Sequence, residues 1–184
     1  MSRMLHLARA TLLPRKPLPG FGALDTSTTD LRVHPGDLDL YGHVNNGTYL
    51  QMMDVARSNL LADLGGLGRL KERGWYPVVA SSTMSYKRSL MPFEKVRVAT
   101  RVLGWDARVV YLEQVFTVGG SHRARGWVAG RFLGKDGSRV APHDVLALLV
   151  DGEAPASPAL PDDVAAWAVA VDVAHREVAD RPGH

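Results

Sequence analysis

The sequence predicts an α+β fold in which one long central helix is covered by a curved antiparallel sheet. Three observations predict it. One long, proline-free apolar segment precedes the middle of the chain; the hydrophobic period then switches from helical to two; and tight turns separate the long strands that follow. One strand before the helix and about four after it make a sheet that needs a cover, and the helix is the only apolar element long enough to supply it.

Residues 1–27 read as an N-terminal arm. Within it Met4–Leu13 is apolar but interrupted by His6 and Arg9. It falls short of the ~20 residues that a membrane-spanning helix needs. It reads as a helix packed on the domain, with a weak interfacial amphipathic helix as the alternative. Pro14, Pro17, Pro19, Gly20 and Gly22 then crowd the chain. The domain proper spans residues 28–150. Thr29–His34 is a short strand stopped by Pro35-Gly36. A helix is expected from about Asn46 to Leu64, with Asn45 and Asn46 as cap residues and Gly65-Gly66 as its stop. At ~1.5 Å per residue it is roughly 27 Å long. Its apolar stripe is Leu50, Met53, Leu60, Leu61 and Leu64, widened by Met52, Val55 and Ala56.

Alternation at Val78–Tyr86 marks the next strand. Glu94–Gly104, Ala107–Val118 and His122–Leu133 continue the pattern, parted by Trp105-Asp106 and Gly119-Gly120 and closed by Gly134–Gly137. Residues 151–184 form a C-terminal extension. In it Ala154–Pro161 is a linker, and Asp162 or Asp163 caps a last helix reaching about Val178.

The 184 residues suit one domain able to bury roughly 70% of its unfolded surface. Hydrophobic residues make up 46% and charged residues 22%, an ordinary globular balance. The absence of cysteine excludes disulfides, a thiolate nucleophile and thiolate metal sites, and suits a cytoplasmic location. The net charge of +3 is uneven: +4 in residues 1–20, −5 in 151–184, and +4 between them. That is too mild for a nucleic-acid surface, yet it would attract an anionic substrate.

Chemistry concentrates in Gly36–Arg57 (GDLDLYGHVNNGTYLQMMDVAR). Acids, a histidine and two asparagines crowd the loop before a helix N-terminus, where unpaired N–H groups and a partial positive charge can polarise a carbonyl. A carboxylate just upstream can attack that carbonyl or activate water against it. Asp37, Asp39 and Gly42 fit the start of a calcium loop. However, Tyr41 and Thr48 occupy its fifth and twelfth positions, so calcium is not expected. Asp37, Asp39 and His43 are a nonspecific metal set, and no metal or organic cofactor is expected. Serine-hydrolase and phosphate-binding motifs are absent.

Asp39, Gly42-His43-Val44-Asn45-Asn46, Tyr49 and Arg57 resemble the signature of the hotdog-fold acyl-CoA thioesterases of the 4-hydroxybenzoyl-CoA thioesterase type. The phrases DLDL (37–40), WYPVVA (75–80), YKRSL (86–90), TRVLGWD (100–106) and YLE (111–113) are similar to the thioesterase superfamily member six branch. The likeness covers about residues 28–140. It implies a helix wrapped by a curved sheet, and a homodimer or dimer of dimers joined at sheet edges with sites at the interface. It also implies hydrolysis of acyl-CoA or another acyl thioester, a step of lipid metabolism. Asp39 would be the nucleophile or general base, and the backbone N–H of Asn46, with Gly47 beside it, the carbonyl-polarising group. Some hotdog enzymes instead use a glutamate on the helix, where this chain has Asp54 as its only acid before Asp63.

The expected substrate-binding residues are His43, Asn45, Tyr49, Lys87 and Arg88. His43 is read as a loop hydrogen-bonding residue rather than a general base, and Asn45 as a helix cap. Tyr49 belongs to the acyl pocket or to the core. Lys87 and Arg88 meet CoA phosphates or form a solvated edge. Asp37 is read as structural, Asp54 and Arg57 as an ion pair, and Trp75, Trp105 and Trp127 as core or interface. The rival to hydrolysis is a non-catalytic acyl or lipid binder, or a scaffold, on the same dimer. A hydratase is ranked below it for want of an H-F-P-G phrase, and nucleic-acid binding below that.

Overall fold

The computed structural model describes residues 3–150 and 154–174. Its helices are α1 (Arg3–Leu12), α2 (Asn46–Asp63), α3 (Gly66–Arg73), α4 (Pro142–Leu149) and α5 (Asp162–Ala170). Its strands are β1 (Ser27–Arg32), β2 (Trp75–Tyr86), β3 (Lys95–Trp105), β4 (Val110–Val118), β5 (Ser121–Gly134) and β6 (Arg139–Val140). They form one antiparallel sheet ordered β1-β3-β4-β5-β2, with β6 paired to the end of β5.

The period-two pattern lays cross-strand rows on the face that receives α2. Val98, Phe116, Ala124 and Tyr86 form one row, Thr100, Gln114, Gly126 and Met84 the next, and Val102, Leu112 and Val128 a third. Tyr49 of α2 packs edge-on against Tyr86 and Phe116 of the first row, with ring centroids 5.0 and 5.4 Å away. Met53, one turn on, sits over the second. A Cβ at Gly126 would lie 2.6 Å from both Met53 Cε and Met84 Sδ, so glycine makes room for two methionines. The side chains of α2 most deeply buried in this core are Tyr49, Met52, Met53, Ala56 and Leu60. Leu50, which the sequence places in the stripe, is exposed, because the buried face is centred about one residue further round the helix.

Gln114 breaks the apolar pattern but is fully buried. Its Nε2 donates to the Met53 carbonyl (3.1 Å) and Thr100 Oγ1 (3.0 Å), and its Oε1 accepts from Arg57 (2.8 Å). Each polar atom is satisfied, as burial requires.

Gly65 (φ +66°) ends α2 in the left-handed region, as the sequence suggests. The chain then starts a second helix, α3, rather than a loop. α4 is likewise present where the sequence pattern fades. The last helix is present, but its cap position is Pro161 rather than Asp162 or Asp163, which fall in its first turn, and it ends at Ala170. The expected end at Val178 lies outside the described residues. The linker and α5 cover the other face of the sheet. Val164 and Ala168 bury against Leu103, Tyr111 and Ala129, and Trp167 meets Trp127 at 6.0 Å. At Gly104 the linker passes so close that a Cβ would stand 2.8 Å from the Pro158 carbonyl oxygen.

The arm brackets α2 at both ends. Arg3 and Asp37, both buried, form a two-pronged pair: Nε to Oδ1 at 2.9 Å and Nη2 to Oδ2 at 2.5 Å. At the far end Arg15 pairs with the buried Asp63, and the Leu18 N–H donates to the Asp63 carbonyl (3.0 Å). An acid in the last turn of a helix opposes the helix dipole, and Arg15 offsets it. Truncating one partner of a buried ion pair leaves the other uncompensated, at a cost of about 3–5 kcal/mol. Arg3→Ala is therefore expected to lower the unfolding free energy by about that much, read from urea denaturation.

Candidate functional site

The site loop runs from Asp37 to Asn45. Its base is fixed by Asp37, whose carboxylate takes Arg3 and the His34 N–H (2.7 Å). The Asp37 carbonyl accepts the Asn45 N–H at 2.8 Å and the Thr48 hydroxyl at 3.4 Å. With both oxygens committed, Asp37 is structural and no partner for Asp39 and His43 at a metal. A bridge between Leu38 and Val44 closes the loop, and Gly42 turns it at φ +75°.

Asp39 is half-buried. Its N–H donates to the His43 carbonyl (2.8 Å), while its Oδ1 accepts the N–H groups of Tyr41 (2.9 Å) and His43 (3.2 Å). The carboxylate is thus oriented by its own turn, and Oδ2 has no partner within the described residues. At the start of α2 the Asn45 side chain accepts the Gly47 N–H at 2.8 Å, and the Asn45 carbonyl accepts the Thr48 N–H. Gly47 is therefore occupied by the cap. The Asn46 N–H has no partner within the described residues and is the free donor at this terminus. His43, Asn45 and Asn46 are exposed.

Tyr49 lies inside the core, only 2% exposed, and its hydroxyl accepts the Leu90 N–H (3.0 Å). Leu90 returns its carbonyl to Val44, so the β2–β3 connection and the site loop are neighbours. Lys87 and Arg88 begin that connection, exposed, with both N–H groups on the Arg123 carbonyl. The fold thus gathers Asp39, His43, Asn45, Asn46, Gly47, Lys87 and Arg88 at one end of the domain, with Tyr49 beneath them.

A cavity of about 400 Å³, marked by no local sequence pattern, lies beneath the second half of α2, lined by Leu60, Leu64, Leu112, Val128, Phe132 and Leu149 among others. The rows that Tyr49 and Met53 fill are tightly packed, whereas the third row, under smaller side chains, is not. Asp54 and Arg57 also line this space, and they form the expected ion pair. Asp54 is eight residues beyond Asn46, roughly 12 Å along the helix. Asp39 does not line the cavity. Asp54 and Arg57 form part of its polar rim, and Arg57 also donates to the fully buried Gln114.

Burial raises the Asp54 carboxyl above its ordinary value of 3.8, although Arg57 draws it down. In the folded protein this acid takes up its proton at higher pH than in the unfolded chain. The cost of its charge is absent below the unfolded value and builds as pH rises through the folded one. Asp54→Asn is expected to raise the urea midpoint at pH 7 and leave it unchanged near pH 3.

The family model of the thioesterase-like superfamily matches residues 33–168. A probable thioesterase of Saccharomyces cerevisiae is 26% identical over 128 residues, covering 68% of this chain and 56% of the yeast protein. The THEM6 protein of Xenopus laevis is 38% identical over 84 residues, 46% of this chain and 41% of its own. The chain spans about half the length of the curated relatives it matches. Among solved structures, the probable thioesterase YbaW of Escherichia coli aligns with a TM-score of 0.62 at 20% identity, over 70% of this chain and 99% of that one. The DHNA-CoA thioesterase of Staphylococcus aureus gives 0.59 at 21%, over 63% and 80%. The architecture is the hotdog fold. With the family match running from the site loop through α2 and the sheet into α5, this chain belongs to the thioesterase-like superfamily.

Proposed function

We propose that this protein hydrolyses acyl thioesters, with acyl-CoA as the substrate, releasing a carboxylic acid and a thiol. One observation carries the reading. A loop carboxylate is held by one oxygen and, among the described residues, has no partner at the other, just before a helix whose first N–H likewise has none. Asp39 either attacks the thioester carbonyl carbon, giving an anhydride that water cleaves, or takes a proton from water that attacks directly. The Asn46 N–H polarises the carbonyl oxygen, and the Gly47 N–H keeps the Asn45 cap in place beside it. The thiolate leaves and is protonated from solvent.

The apolar cavity offers room for an acyl chain beside Asp54, at the other half of α2 from Asp39. Lys87 and Arg88 supply charge for CoA phosphates. The name of the Staphylococcus relative also specifies a CoA thioester. A cysteine-free chain suits a reducing, cytoplasmic setting.

A second reading of the mechanism rests on Asp54, the carboxylate that lines the cavity. Hydrolysis of an acyl-CoA panel by wild type, Asp39→Asn and Asp54→Asn separates the two. Asp39→Asn is expected to lower kcat by about 10² or more, with Asp54→Asn retaining activity. The reverse pattern assigns the chemistry to Asp54. Saturable acyl-CoA binding without turnover by wild type identifies a non-catalytic binder.

We further propose a homodimer joined along β2. Among the described residues this 12-residue strand pairs only with β5, leaving its other edge unpaired. Tyr76, Val79 and Tyr86 on it are exposed, a combination that invites a further strand. Wild type is expected to sediment as a dimer, or as a dimer of dimers, and Val79→Lys to shift the population toward monomer.

A further inference from the structure

We propose that the outward face of α1 docks on an anionic lipid surface, with the helix lying in the plane of the bilayer. α1 has two faces of different character. The inner one holds the buried Arg3 and Ala10 and the half-buried His6 and Leu7 against the domain. α1 runs alongside α2, with Arg3 reaching the loop before it and Thr11 meeting Ser58. The outer face carries Met4 (75% exposed), Leu5 (57%) and Leu12 (77%), with Ala8 between them and Leu13 (76%) just past the helix end. At ~100° per residue, Met4, Leu5, Ala8 and Leu12 fall on one stripe of the helix. Large aliphatic side chains grouped in this way on a soluble face mark a contact surface.

The charges around the stripe identify the occupant. Residues 1–20 contain four basic residues and no acid. Arg3 and Arg15 are neutralised by Asp37 and Asp63. Arg9 and Lys16 are exposed and have no acidic partner among the described residues. An apolar stripe bordered by unneutralised cations is complementary to a surface that is apolar inside and negative at its head groups. A second copy of this chain fits less well: a two-fold contact through α1 would bring together two identical segments that carry basic residues and no acid. Among the described residues no helix is long and apolar enough to cross a membrane, and the ten residues of α1 present their apolar stripe sideways, as a helix lying in the interface does. Because Arg3 ties its first turn to Asp37, docking holds the site loop beside the lipid.

The test is co-sedimentation of the full chain with phosphatidylcholine vesicles, with and without phosphatidylglycerol. Wild type is expected to bind the anionic vesicles and not the zwitterionic ones. Leu5→Gln with Leu12→Gln is expected to lower the partition coefficient at least tenfold. Arg9→Gln with Lys16→Gln is expected to lower it roughly fivefold per residue replaced. Circular dichroism and thermal melts confirm that the variants fold, since all four side chains are exposed. Failure of wild type to bind anionic vesicles overturns the proposal, as does binding that survives the leucine replacements. A fall in solution mass on replacing the leucines, without lipid, assigns the face to contact between copies and overturns it equally.

Discussion

Much of this molecule follows from the burial of α2 in the curl of one antiparallel sheet. An α-helix surrounded by side chains on most of its circumference must keep its polar groups at its ends or give them partners inside. Both solutions are present. Tyr49, Met52, Met53, Ala56 and Leu60 meet the sheet, and Gln114 with Arg57, and Asn59 with Thr29, make polar contacts between helix and strands. The first turn of the helix emerges from the curl at the loop that carries Asp39. The Asn46 N–H there has no partner among the described residues, and the helix dipole places partial positive charge at this end.

The ends of α2 are also where the N-terminal arm attaches. Arg3 holds the loop before the helix and Arg15 the carboxylate in its last turn. The two contacts fix α1 along the helix, which explains why so short an apolar element is ordered against the domain. They also divide the arm's charge in two. Two cations are spent internally, and two are left beside the exposed leucines.

The core beneath α2 is unevenly filled. Aromatic and methionine side chains fill the half next to the site loop, whereas valines and leucines leave a cavity beneath the other half. The same void has Asp54 and Arg57 on its rim, so two carboxylates, one in the loop and one on the helix, flank opposite halves of α2.

The local pattern of the sequence determined the helix, the strands and the loop, because each depends on near neighbours. A proline-free apolar run gives α2, alternation gives β2 to β5, and Asn45 before Gly47 gives the cap. The acid-rich loop ahead of a helix, with the family resemblance it carries, made the candidate site legible as well. Only the tertiary structure decided which partners distant residues meet. Arg3 finds Asp37 across 34 residues, Arg57 finds Gln114 across 57, and Arg15 finds Asp63 across 48. No local period encodes such pairings. The same holds for α3 and α4, whose short sequences lack a distinctive pattern and which fold because the domain surface accepts them. It holds equally for Leu50, whose exposure depends on how α2 is rotated in the curl, and for the cavity, which is set by the summed volumes of side chains from α2, α4 and four strands.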